Sequence, residues 1–152
     1  MRALAFLLAA PAMISASAPA SAGSTSTITV TVTDLRASDG SYEGIVRACL
    51  TSRENAFPKC SRDPNSKSVS VRAGASVTLR FENVAPGDYA IAILHDENED
   101  GKANRVLGMA PREGYGFSRD APVRMAPPSW DDAVFEMGAA PKRMTIRMRY
   151  FL

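Results

Sequence analysis

The chain has 152 residues, 45% of them hydrophobic and 22% charged, which is room for one domain with a buried core rather than two. That balance excludes a disordered tail. A formal net charge of +2, with no basic cluster interleaved with aromatic residues, gives no footing for nucleic-acid binding.

Arg2 precedes an apolar run from Ala3 to Ala10, and a small-residue stretch ends in Ala20-Ser21-Ala22, an A-x-A site for cleavage before Gly23. The run is far shorter than the ~20 residues of a membrane-spanning helix, and Pro11 and Pro19 interrupt the segment. Residues 1–22 are therefore expected to be a signal peptide and residues 23–152 one exported domain, periplasmic or secreted. No later segment is apolar enough to span a membrane, and no Cys follows the cleavage site to accept a lipid.

Ile28, Val30 and Val32 alternate with Thr29, Thr31 and Thr33, the period of a half-buried strand. Asp39-Gly40 marks a turn, and a second strand runs through Ile45, Val46, Ala48 and Leu50. Residues 52–67, with Pro58 and Pro64, read as a loop. Cys49 closes the second strand and Cys60 lies in this loop; in an oxidising compartment the two are expected to pair, free thiols being the alternative. A zinc site is disfavoured because His95 is the only histidine.

Val69 and Val71 form a short strand, and Val77, Leu79 and Phe81 the inner face of the next. Ala85-Pro86-Gly87-Asp88 turns the chain into Tyr89–Leu94, apolar on both faces as a central strand requires. Residues 96 to about 130 show no sustained period. Strands at Ala133–Met137 and through Met144, Ile146, Met148 and Tyr150 close the chain, with Lys142, Arg143, Arg147 and Arg149 expected on a solvated face. Strands separated by turns, without three turns of helical spacing anywhere, predict an all-β antiparallel sandwich of about seven strands with one long loop after the central strand.

A loop of ~30 residues is rare in a compact domain unless it is functional or held. It opens with Asp96, Asn98, Asp100 and Gly101, the D-x-[DN]-x-[DN]-G half of a calcium loop, in which alternate side chains converge hard oxygen ligands. Lys102 would offer its carbonyl and Asn104 takes the ninth place. Leu107 stands where a bidentate Glu would complete the set, leaving Glu99 or Glu113 to do so from elsewhere. The alternative is a solvated acidic turn. Tyr115, Phe117 and Trp130 are candidate stacking residues for a sugar or peptide, or else rings that pin the loop to the core. A triad of His95, Asp96 and a serine such as Ser118 can be written, but neighbours on a strand point to opposite faces, so Asp96 would not orient His95.

The segment Phe81–Ala92 (F-x-N-V-x-P-G-x-Y-A-I-A), the HDEN…GK…N loop at His95–Asn104 and EGYGFS at Glu113–Ser118 resemble the DUF2141 family over nearly the whole mature chain. The resemblance implies an exported bacterial β-sandwich and supplies no activity; Ala103 stands where the family usually has a further Asp or Asn. The P-G-x-Y turn also resembles prealbumin-like and CnaB-like sandwiches. The function expected is a non-catalytic binding or structural module of the cell envelope, its partner an envelope protein, peptide or glycan. The alternatives are a calcium-stabilised carbohydrate- or peptide-binding module and, less favoured, a hydrolase with His95 as base.

Overall fold

The structure, a computed structural model, describes residues 24–102, 105–106, 110–111, 113–124 and 126–151. The expected leader (residues 1–22), its cleavage junction and the candidate ligand Asn104 lie outside the described residues.

Alternation builds two sheets. In the first, β1 (Ser26–Thr33) lies between β4 (Val77–Val84) and β10 (Lys142–Arg147). The second runs β3 (Lys67–Arg72), β2 (Ile45–Thr51), β5 (Gly87–Asp96) and β8 (Gly114–Phe117), with β9 (Phe135–Met137) also on β5. A two-residue pair, β6 (Arg105–Val106) with β7 (Ala110–Pro111), stands apart. Ile28, Val30, Leu79, Phe81 and Ile146 of the first sheet share one buried cluster with Val46, Leu50, Ile91 and Ile93 of the second. The domain is thus an all-β sandwich, as the alternation predicts.

Two features depart from the sequence reading. The pairing is not antiparallel throughout: β1 and β10 run parallel, Ile28 opposite Lys142 through Thr33 opposite Arg147. The stretch from 96 to 130 is also not one loop. It contains β8, which pairs with the second half of β5 from Ala92–Phe117 to His95–Gly114.

The alternating glycines of β8 explain themselves from its surroundings. A Cβ at Gly116 would lie 2.7 Å from Ile146 Cγ2 and 3.1 Å from Met148 Sδ, and one at Gly114 would collide with the Tyr150 ring. Only hydrogen on that face lets β8 pass beneath the end of the other sheet.

Strand β5 changes neighbour along its length, β9 pairing at Gly87–Tyr89 and β8 at Ala92–His95. In the gap, the buried Ser118 hydroxyl accepts from the Ile91 N–H (2.9 Å) and donates to the Ala133 carbonyl (2.6 Å). The side chain thereby takes the place of a missing ladder partner for a buried amide. Just upstream of that carbonyl, Ser129 caps the one-turn helix α1 (Trp130–Ala133) through a reciprocal bond pair with Asp132.

A second, smaller apolar cluster covers part of the outer face of the β5 sheet. Phe117, 1% exposed, meets Phe57 edge-on at 5.7 Å, and Phe57 meets Trp130 at 6.1 Å. Cys49 and Cys60 form the expected disulfide across 11 residues. The loop carrying Phe57 is thereby tied to β2.

Candidate functional site

The site forms where β5 ends. Asp96 is its last residue and is fully buried on the outer face of the sheet, its Oδ2 held by Arg47 Nε at 2.6 Å. Arg47 reaches it diagonally, since its own partner across the β2–β5 ladder is Leu94. The loop then wraps around the same carboxylate. The Asp100 N–H donates to Asp96 Oδ1 (3.2 Å) and the Gly101 N–H to Oδ2 (2.9 Å). Asn98 Nδ2 donates to Asp100 Oδ2 (3.1 Å), and the Lys102 N–H to Asp100 Oδ1 (2.8 Å). Gly101 has φ +74°, the left-handed region that lets the chain turn here without steric cost.

Topology adds a third carboxylate. The β5–β8 ladder ends at His95–Gly114, and one residue further on each strand stand Asp96 and Glu113. Ligand oxygens of Asp96, Asp100 and Glu113 all lie within 4.8 Å of one another, with Glu113 only 3% exposed. Of the two glutamates open to completing the set, Glu113 is brought in. Glu99 pairs instead with Arg72 of β3 at 2.7 Å.

The remaining candidates are placed as follows. Lys102 is exposed, two residues past Asp100. Tyr115 lies on the outer face beside Leu94. Phe117 is buried in the ring cluster over that face, and Tyr115 and Trp130 pack half-buried against it. Arg147 and Arg149 are not simply solvated. Both bind Asp120, Arg147 Nη2 at 2.6 Å and Arg149 Nη2 at 3.0 Å. Burial pushes the Asp120 carboxyl upward, but these arginines outweigh it and hold the group below its ordinary range.

His95 points the other way from Asp96, into the sandwich, and is fully buried. Its Nε2 lies 2.8 Å from the Glu43 carbonyl, which can only accept, so Nε2 carries the proton. Nδ1 is then the acceptor for the Tyr150 hydroxyl at 2.7 Å, and that hydroxyl accepts from the Arg36 N–H at 2.9 Å. Burial above all pushes the Tyr150 phenol up to about 12. His95 hydrogen-bonds to Tyr150 and Glu43, with Glu97 Oε1 3.8 Å from its Nδ1, and Ser118 to Ile91 and Ala133; the triad writable from the sequence is not assembled.

Sequence reasoning missed Arg47 as the counter-ion of Asp96. The signal was available in part: Arg47 is the cation inside an otherwise apolar strand, IVRACL.

Fold and site together define a disulfide-bridged β-sandwich with a carboxylate cluster where its central strand ends. The chain matches the family model described as "Uncharacterized protein conserved in bacteria (DUF2141)" over residues 30–145 and belongs to the DUF2141 family. No curated protein and no solved structure matches it.

Proposed function

We propose that this protein is an exported, non-catalytic sandwich module of the bacterial cell envelope whose β5–β8 connection is fastened by a calcium ion at Asp96, Asp100 and Glu113. The observation that carries the reading is the convergence of carboxylates from both ends of that connection to within 4.8 Å, two of them buried. Carboxylates this close repel one another. Arg47 offsets part of that charge, and a hard divalent cation is suited to offset more through oxygen ligands. The turned backbone of residues 96–101 supports the reading, because it already presents Asp96 and Asp100 together. Export is supported by the leader-like N-terminus and by a disulfide, which persists in oxidising compartments.

Extracellular modules bind calcium with a Kd on the order of 0.1–1 mM, the range expected here. At ten times Kd the ion adds about 1.4 kcal/mol to stability. Thermal melts in calcium against chelator should show a higher midpoint with calcium, and Asp100→Asn should remove the difference. Identical midpoints for the wild type in both buffers would dismiss the ion. For export, mass spectrometry of the protein from its native host should find the chain beginning at Gly23; an uncleaved cytoplasmic chain would contradict the reading.

A further inference from the structure

We propose that the outer face of the β3–β2–β5–β8 sheet is a binding site for a small anionic amphiphile, an apolar body ending in a carboxylate. Here the sheet forms the floor of a cleft of about 730 Å³, within the size range of small-ligand sites. Two cross-strand rows make the floor, Arg47–Leu94–Tyr115 and Cys49–Ala92–Phe117. The outer face of a half-buried strand ordinarily carries polar side chains. On β5 it carries Ala90, Ala92 and Leu94 instead. The Trp130 cluster buries Ala90 completely but leaves Ala92, Leu94 and Tyr115 half-buried.

Charge selects the ligand. Lys59, Lys102 and Arg124 line the cleft beside Arg47, whose own charge is paired with the buried Asp96, and no acidic side chain is among the described residues that line it. Lys59 and Lys102 have no ion-pair partner among the described residues. The three outer cations come from three separate segments: the disulfide loop, the turn after β5 and the stretch after β8. Their convergence is therefore a product of the fold and not of a local basic run. Lys59 adjoins Cys60, whose sulfur is bonded to Cys49 in the floor. One wall is thus fastened covalently, which lowers the ordering cost of binding. The apolar floor disfavours a bare inorganic anion, and the cations disfavour a cationic or neutral ligand.

The test is isothermal titration of the purified, disulfide-intact protein with decanoate, decylammonium and acetate, each below its aggregation threshold. Running it in calcium and in chelator separates it from the cation reading. Decanoate should bind at one site in at least one buffer. Decylammonium should bind at least about tenfold more weakly, and acetate should give no heat. Lys59→Glu with Arg124→Glu, both exposed positions, should weaken decanoate about tenfold or more. Arg80→Glu with Arg143→Glu, the same charge change elsewhere on exposed strand positions, should leave it unchanged. The proposal is overturned if decanoate gives no saturable heat in either buffer, if both decyl ligands bind alike, or if the two double variants behave alike.

Discussion

Replacing Tyr150 by phenylalanine removes one oxygen and tests how the end of the chain is held. The hydroxyl donates to His95 Nδ1 at 2.7 Å and accepts from the Arg36 N–H at 2.9 Å. His95 cannot adapt by changing tautomer, because its Nε2 proton is committed to the Glu43 carbonyl. The substitution therefore removes the donor to Nδ1 on a fully buried ring, where the other nearby polar atom is the carboxylate oxygen Glu97 Oε1 at 3.8 Å, at a cost of about 1–3 kcal/mol. The ring itself stays, with the Arg36 guanidinium 4.2 Å from its centroid and His95 edge-on at 6.0 Å, so no cavity opens. A loss of about 2 kcal/mol lowers the thermal midpoint by roughly 6–12 °C. Urea and thermal melts beside Tyr42→Phe, at an exposed position, give the comparison. A phenol titration should lose its component at about 12. Because the folded value is raised, this contribution to stability is complete below the ordinary phenol range and is lost as pH rises through about 12. Stability of Tyr150→Phe within about 0.5 kcal/mol of wild type, equal to Tyr42→Phe, would refute the reasoning.

Gly116→Ala places a methyl 2.7 Å from Ile146 Cγ2 and should cost about 1–3 kcal/mol in a urea melt; a silent substitution would mean that β8 does not lie this close to the opposite sheet. On the acid side, the Thr51 hydroxyl, donating at 2.6 Å, leads the interactions that hold Asp63 below its ordinary range, and Asp120 is lowered as well. Depressed folded values mean that this stability is present above about pH 4 and lost as pH falls through them. Asp120→Asn should therefore be less stable at neutral pH and lose less on acidification; stability curves parallel to wild type would contradict the assignment.

Much of the framework was legible because burial on one face imposes a period of two. In β1 and β4 the buried positions are the alternate Ile28, Val30, Val32 and Val77, Leu79, Phe81. Strand β8 escaped notice because half of its positions are Gly114 and Gly116, which carry no side chain to reveal a face. The parallel register of β10 on β1 is a long-range pairing that local periodicity does not encode. In the site, the Asp96–Gly101 turn could be read locally because its ligand types and spacing are contiguous. Glu113 was visible only as one of two candidates, since the choice between it and Glu99 depends on the β5–β8 register and on Arg72. The aromatic residues Phe117 and Trp130 were ambiguous for a related reason. A ring serves equally as ligand platform or loop anchor until its neighbour is known, and that neighbour, Phe57, lies in the disulfide loop.

Whether the carboxylate cluster where β5 ends holds a cation is tested most directly by calcium titration calorimetry on the wild type and on Glu113→Gln. The expected result is one site with a Kd on the order of 0.1–1 mM in the wild type, weakened at least about tenfold by the loss of the buried glutamate charge. Absence of saturable heat in the wild type, or identical binding in Glu113→Gln, would contradict it.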